Sequence, residues 1–276
     1  MTCEVVQTRW GTSVMRDVQA GEVMHPGVGP QVESQVLYVQ QSQLVQRLRA
    51  RNEDAGNTLV LFDVGLGAGS NALAAWLASQ QMQGPAAPLE IVSFERDLSA
   101  LRLALQHGEA FGWVGEARQA AEALVRFGEY KTPRTSWRLH EGELLDCLQA
   151  ESAKADVVFW DPFSPKANPT LWTVEAFSLA RAAAGQQATL FTYSASTTVR
   201  IAMLLAGWNV GLGAAIGDKR ATTAAAARVA DLQTPLDVSW LTRVTRADVR
   251  LPLDADDQAV AKVQSCPQFK RPVQIP

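Results

Sequence analysis

Nothing in this chain approaches the ~20 consecutive apolar residues of a membrane-spanning helix, and its first residues lack the basic and apolar regions of a secretory leader. A cytoplasmic protein with no membrane partner is the expectation. Cysteine is scarce: Cys3, Cys147 and Cys266 are an odd, scattered set without Cys-x-x-Cys spacing, which argues against a disulfide framework and a zinc site and leaves no metal expected. Charge of one sign is lacking as well. A net charge of −3 does not describe a broadly basic nucleic-acid binder, so any phosphate contact must come from a local patch. Internal repeats and low-complexity linkers are also missing.

What the chain does have is core material. With 276 residues, 47% of them hydrophobic, it suits one α/β domain with additions. The organising stretch is Asn57 to Asn71. Thr58, Leu59, Val60, Leu61 and Phe62 form a continuous apolar run, as in a strand covered on both faces of a parallel sheet. Asp63 ends it, and Gly65, Gly67 and Gly69 follow, a turn under which a ligand can pass close to the backbone. Ser70 or Asn71 then starts a helix whose amides attract an anion. A P-loop would need Lys and Ser or Thr after the last glycine, where Ser70 and Asn71 stand. A dinucleotide fingerprint would need its third glycine one residue later. An aspartate, a short glycine turn and an acid ending the next strand, here Glu95, instead form the pattern of S-adenosylmethionine sites. Glu95 could then accept both ribose hydroxyls. The bland alternative is a glycine turn that only packs a helix on a sheet.

Along the chain, Val5 to Met24 reads as a hairpin, His25 to Pro30 as a rigid turn, and Val32 to Leu44 as a helix whose arginine-rich end, Arg47 to Arg51, marks solvent. Asp54 to Asn57 is the turn into the sheet. Helices are predicted beyond Asp97, over about Val114 to Phe127 and through Val199 to Leu204. Further strands fall near Trp137 to Leu139, Asp156 to Trp160, Ala188 to Tyr193, Trp208 to Leu212 and Thr222 to Ala226. This alternation predicts a doubly wound, largely parallel α/β sheet. Three parts follow: 1–56, an N-terminal hairpin and helix extension; 57–227, the core; and 228–276, an irregular tail packed on it.

In such sheets ligands bind beyond the carboxyl ends of the strands. Asp63, Glu95, the Glu141 to Glu143 corner and Asp161 all lie at such ends, and together they would surround the amino group, ribose and adenine of a positively charged cofactor. Asp161 opens a second informative stretch, Asp161 to Trp172, where three prolines stiffen a loop carrying an acid, Phe163, Lys166 and Trp172. An Asp-Pro-aromatic turn is similar to the one with which amine methyltransferases hold a nitrogen. Loop cover for the sheet edge is the alternative. Asp161, at an ordinary carboxylate pKa near ~3.9, is a poor base for an alkylammonium near ~10.4, so orientation is its expected role. The proton acceptor stays open.

The Asp161 to Trp172 loop resembles the Asp-Gly-Phe-x-Pro-x-Lys-Asn-Pro-x-x-Trp loop in the methyltransferase part of the MnmC family, the bifunctional tRNA wobble-uridine modification enzymes and their stand-alone relatives. Pro162 stands at the family's usual Gly. His25 to Gln43, with a His-x-x-x-Gly turn and Glu33, resembles the family's opening segment, and Thr192, Tyr193, Ser194, Arg200, Gly217, Lys219, Arg220 and Thr222 its later signatures. The resemblance covers about Thr8 to Ala226. It implies a Rossmann-like class I methyltransferase fold, S-adenosylmethionine as donor with S-adenosylhomocysteine as product, and methylation of the exocyclic amine of 5-aminomethyl-2-thiouridine at the tRNA wobble position. Carried over, Asp63, Gly65, Gly67, Gly69, Asn71, Glu95, Glu143 and Asp161 are the expected cofactor side. Asp161 and Phe163 face the amine, with His25, Glu33, Lys166, Trp172, Tyr193, Lys219 and Arg220 on the substrate side.

The implied partner is the tRNA anticodon region, which Arg243, Arg246, Arg250, Lys270 and Arg271 could approach. No flavin is expected, so separate enzymes would supply the aminomethyl precursor. A methyltransferase for small amines, or a non-catalytic cofactor-binding module, are the competing readings.

Overall fold

The computed structural model describes residues 3–25, 27–51, 58–217, 219–246 and 248–270. The expected turn over Asp54 to Asn57 lies outside the described residues, as does Arg271. The opening hairpin is present, β1 (Cys3–Gln7) pairing antiparallel with β2 (Ser13–Asp17), and a short third strand, β3 (Glu22–Val23), extends it into a small sheet of its own.

The main sheet is built from β4 (Leu59–Val64), β5 (Leu89–Glu95), β6 (Glu129–Lys131), β7 (Thr135–Glu141), β8 (Ala155–Trp160), β9 (Ala184–Thr192), β10 (Asn209–Gly213) and β11 (Thr222–Ala226). Its order is β10-β11-β9-β8-β4-β5-β7-β6, parallel from β9 to β7 and antiparallel at both edges. β4 sits in the middle with both faces covered, which is why its sequence is a continuous apolar run. Side chains alternate across it: Leu59 and Leu61 join the core beneath the helices Ser70–Gln80, Ser99–Gln106 and Gly115–Phe127, while Phe62 and Val64 join the opposite core beneath Val174–Ala182 and Thr197–Leu205. From β4 the chain winds outward through β5 to β7, then returns to β8 on the other side of β4. The reversal between β4 and β8 is the switch point where a crevice opens at the carboxyl ends.

Two expectations are corrected. The segment after Pro30 is not one regular helix: Pro30–Glu33 is α-helical, Ser34–Gln40 is wound as a π-helix, and Gln43 at φ 54° separates it from Leu44–Arg51. Its arginine-rich end marks solvent only in part: Arg49 is exposed, while Arg47 and Arg51 are engaged. Arg51 makes a two-pronged pair with Asp156 at the start of β8, Nη2 to Oδ1 being 2.8 Å, and Arg47 donates to the Asp156 carbonyl at 3.4 Å. The same carboxylate accepts the Val60 amide at 2.9 Å, so the helix end is pinned across β4 and β8.

The C-terminal segment closes the free side of the sheet. Gln268 accepts the Val210 amide at 2.7 Å and donates to the Val210 and Leu236 carbonyls at 2.7 and 2.8 Å, which satisfies the free side of edge strand β10. Among the described residues no helix is long and apolar enough to cross a membrane.

Candidate active site

At the switch point the chain leaves β4 into the glycine turn, and β8 delivers the Asp161 loop directly against it. A Cβ on Gly65 would stand 2.9 Å from the Asp161 carbonyl oxygen and from Pro162 N and Cα, and its φ is +82°. Glycine is required there by both sterics and backbone conformation. The next glycines differ in purpose. Gly67 donates its amide to Glu95 Oε2 at 2.8 Å, on the cleft side. Gly69 faces away: a Cβ there would lie 2.4 Å from Trp113 Cζ2, so it packs the turn on the core and does not line the cleft. Trp113, which the sequence reading overlooked, also clamps the turn by donating from Nε1 to the Ala68 carbonyl at 3.0 Å.

Between these elements lies a cleft of about 790 Å³, within the ~300–1,000 Å³ typical of cofactor sites. Gly65, Gly67, Glu95 and Glu143 line one half, and His25, Glu33, Asp161, Phe163 and Tyr193 the other. The carboxyl ends of four parallel strands converge here: Asp63, Glu95 and Glu141 stand in the last two positions of β4, β5 and β7, and Asp161 directly follows β8.

On the first half, Glu95 is held before any ligand arrives. Oε1 accepts the amides of Arg96 and Asp97 at 2.8 and 3.0 Å while Oε2 accepts that of Gly67. Burial pushes its pKa up, and those three amides oppose the shift. A fixed acceptor at the end of the second strand fits a ribose diol, and the cleft's acidic lining fits a sulfonium, so these residues suit S-adenosylmethionine. Replacing Glu95 by alanine should raise the dissociation constant for S-adenosylmethionine about tenfold to a hundredfold by calorimetry, a net loss equal to one charge-assisted bond worth ~1.5–3 kcal/mol. Glu143 stands at the rim, its exposed side chain 3.6 Å from Arg96.

Asp63 is placed beneath the cleft and not in its lining. Its Oδ2 accepts the Ser93 hydroxyl at 2.9 Å, and its buried Oδ1 has no hydrogen-bond partner among the described residues. Burial raises its pKa to about 7, with Asp161 and Glu95 adding to the rise. The folded state therefore keeps a proton that the unfolded chain releases near pH ~4, and stability falls as pH rises from ~4 through about 7. An Asp63→Asn variant should match the parent in stability near pH ~3.5 and exceed it at pH 8 by a few kcal/mol, at ~1.36 kcal/mol per pKa unit, which thermal melts at the two pH values check. A constant difference across that range would remove the assignment.

The second half is organised around Asp161. Its Oδ2 accepts Asn71 Nδ2 at 2.8 Å, and Asn71 is itself fixed by the Ser34 hydroxyl at 2.7 Å. Asn71 thus orients Asp161 from below and does not line the cleft. His25 Nε2 is 3.9 Å from the same oxygen, and its Nδ1 is 3.2 Å from Glu33 Oε1. The Tyr38 hydroxyl is buried against Asp161, which holds its pKa well above the ordinary value together with burial, the larger cause. The π-helical turn buries Ser34 and Tyr38 alongside Glu33, a juxtaposition that helical spacing in the sequence did not show.

Burial raises the Asp161 pKa, partly offset by His25, Asn71 and Tyr38. The carboxyl therefore sits above its ordinary value, and orienting the amine stays its expected role. For His25, burial disfavours the imidazolium, but the Glu33 bond and the charges of Asp161, Glu33 and Asp63 outweigh it and hold the pKa above 6.5.

The rest of the proline-stiffened loop divides into contact and support. Phe163 lines the cleft, and Trp172 lies buried behind it, donating from Nε1 to the Phe163 carbonyl at 2.8 Å. Lys166 is exposed outside the cleft, as is Arg220. Lys219 sits over the Tyr193 ring and donates to the Tyr193 carbonyl at 3.0 Å; burial lowers its pKa, while Glu33 and Asp161 raise it. Glu22 of β3, another residue the sequence reading passed over, accepts the Ser164 amide at 2.9 Å and ties the small sheet to this loop. Among the described residues no group of three or more His, Cys, Asp and Glu side chains is disposed to hold a metal ion.

Known proteins resemble this chain in sequence and fold. A family profile described as S-adenosyl-L-methionine-dependent methyltransferase matches residues 115–228, the segment that carries the Asp161 loop. The tRNA 5-methylaminomethyl-2-thiouridine biosynthesis bifunctional protein MnmC of Ectopseudomonas mendocina is 28% identical over 78% of this chain and 33% of its own length. Its counterpart in Pseudomonas aeruginosa (strain UCBPP-PA14) is 30% identical over 68% of this chain and 30% of its own. The chain thus spans about a third of the length of the curated relatives it matches. The crystal structure of MNMC2 from Aquifex aeolicus is 26% identical and covers 95% of this chain and 82% of that one, with a TM-score of 0.72. By fold and relatives alike, the chain is an S-adenosylmethionine-dependent methyltransferase similar to the MnmC proteins.

Proposed function

We propose that this protein methylates the exocyclic amine of 5-aminomethyl-2-thiouridine at the wobble position of tRNA. The observation that carries the reading is Asp161: a half-buried carboxylate, aimed by Asn71 into the cleft at the switch point, next to the half that suits the cofactor. An amine nitrogen is the acceptor such a group can hold, because its N–H bonds meet acceptors on Asp161 and the flanking carbonyls. When bound, S-adenosylmethionine supplies an electrophilic methyl group on a positive sulfonium. The chain's own residues do the rest. Glu95 and the Gly67 turn hold the ribose side, Asp161 directs the amine, and the Phe163 ring, braced by Trp172, packs against the flat base.

An alkylamine near pKa ~10.4 must shed a proton at a cost of roughly 4–5 kcal/mol at pH 7, and alignment for in-line transfer returns ~7–11 kcal/mol. Positioning therefore dominates the rate. Arg243, Arg246, Arg250 and Lys270 are all exposed and offer phosphate contacts outside the cleft. Extrusion of the wobble base into the cleft is required, as for other enzymes acting on bases. Separate enzymes make the aminomethyl precursor.

One observation favours a small alkylamine instead, namely the acids Asp17, Glu22 and Asp97 around the same cleft. Mass spectrometry of nucleosides separates the two. After incubation with S-adenosylmethionine, tRNA bearing the unmethylated aminomethyl uridine should gain one methyl at that nucleoside, with an affinity that falls steeply with salt. No gain, with S-adenosylmethionine binding shown in the same sample, would sink the tRNA assignment.

A further inference from the structure

The Asp161 site leaves the released proton without a destination, and the side chains around it offer one. His25 lines the cleft with 11% of its side chain exposed, at φ 52°, a backbone conformation that non-glycine residues rarely adopt. That strained turn aims its two ring nitrogens at different carboxylates. Nδ1 meets Glu33 Oε1 at 3.2 Å, and Glu33 is 3% exposed, so the contact is sheltered from water. With Glu33 taking the Nδ1 proton, the tautomer is fixed and the Nε2 lone pair faces Asp161 Oδ2 across 3.9 Å. Two acceptors facing each other at that separation are too far apart to bond directly and have room for one nitrogen donating to both.

We propose that His25, positioned by Glu33, is the base that accepts the proton from the substrate amine while Asp161 holds the same nitrogen. The inference rests on the amine reading above. The ammonium gives one proton to Nε2, turning imidazole into imidazolium and freeing the nitrogen lone pair. The new N–C bond forms as the S–C bond breaks, its electron pair staying on sulfur. The product leaves as a secondary ammonium, and the imidazolium returns its proton to solvent at the cleft mouth.

The charged groups around His25 support this assignment: Glu33 from the helix after Pro30, Asp161 from the β8 loop and Asp63 from the end of β4 all favour the imidazolium. Lys219, from the connection between β10 and β11, faces Glu33 and Asp161 as the nearby positive charge.

The test compares the parent protein with His25→Gln and Glu33→Gln. It uses single-turnover methyl transfer to the aminomethyl-uridine tRNA between about pH 6 and pH 10. In parallel, histidine side-chain resonances are titrated in the cofactor-free protein. The chain has three histidines, so the His25 signal is the one missing from His25→Gln. His25→Gln should lower the rate about a hundredfold near neutrality, in the range of lost general-base catalysis, with the deficit shrinking toward pH 10 as free amine becomes available from solvent. Glu33→Gln should move the His25 titration, and the rising limb of the rate profile with it, to lower pH. S-adenosylmethionine affinity should stay within about threefold in both variants, showing that the fold is kept. A His25→Gln profile parallel to the parent's, or a His25 titration indifferent to Glu33→Gln, would overturn the proposal. Failure of the amine reading looks different, since the parent itself would then methylate neither the tRNA nor a small alkylamine.

Discussion

An Asp161→Asn variant is expected to lose methyl transfer by about 10²- to 10³-fold while binding S-adenosylmethionine nearly as well as the parent. The size follows from removing a preorganised charge at the point where positive charge develops on nitrogen. In the parent, one Asp161 oxygen is occupied by Asn71 at 2.8 Å, and the carboxylate presents acceptors to the cleft. An asparagine that keeps the Asn71 bond leaves a neutral oxygen at the Oδ2 position and puts an N–H₂ in place of Oδ1, so the amine loses the negative charge that held it. Stability should move the other way. Burial raises the Asp161 pKa, so its carboxylate form costs folding free energy above the ordinary carboxylate range, and the neutral amide removes that cost. The melting temperature at pH 8 should therefore be unchanged or higher. Single-turnover rates and calorimetry on the same preparation check both halves. A variant within tenfold of the parent would mean that Asp161 does not hold the acceptor.

Replacing Gly65 by alanine should have the largest structural effect of any conservative change in the cleft. The added Cβ would lie 2.9 Å from three backbone atoms of Asp161 and Pro162, which belong to a strand end and cannot rotate away as a side chain would. The φ of +82° adds a left-handed penalty of ~1–2 kcal/mol to that overlap. The expected cost is roughly 3–5 kcal/mol, at the top of the range for single substitutions, or a fall of about 10 °C in melting temperature for a domain of this size. S-adenosylmethionine binding should go with it, since the β4 and β8 loops must part to admit the methyl group. Gly84 is the internal control. Its φ is +77° but nothing lies within 4 Å of its Cβ position, so Gly84→Ala should cost only the backbone term. Equal melting temperatures for the two variants would show that the close approach of the loops does not matter.

Strong periodic signals were legible without coordinates. The apolar run of β4 suited a covered strand, and Val157, Val158 and Phe159 marked β8 in the same way. Because parallel strands place their carboxyl ends together, the acids closing those strands could be assigned to one edge before the sheet was seen. The Asp161 to Trp172 loop was found by its prolines and its resemblance, yet its interior was not: Phe163 faces the cleft, Trp172 supports it from behind, and Lys166 points to solvent. A residue's type tells what it can do, and only packing tells which way it points.

The same distinction holds for the glycines. Spacing showed that the turn was tight, but not that Gly65 meets the β8 loop while Gly69 meets Trp113, since both neighbours are distant in sequence. The arginines after Leu44 looked like a solvated helix end; Arg49 is exposed, but Asp156, more than a hundred residues on, made Arg47 and Arg51 a clamp across two strands.

By itself, then, the sequence determined what depends on short-range pattern and composition: a doubly wound parallel sheet, a glycine turn after its central strand, acids at the strand ends and a stiff acidic loop at the edge. Only the tertiary structure decided what depends on non-local contact. It wound Ser34–Gln40 as a π-helix and so buried Tyr38 against Asp161. It set His25 between Glu33 and Asp161, and it raised the pKa of a carboxyl that composition alone would leave ordinary. The physical reason is that pKa and orientation are fixed by burial and by charges within a few ångströms, and the residues supplying them here come from the opening turn, the π-helix and the loops after β4 and β8.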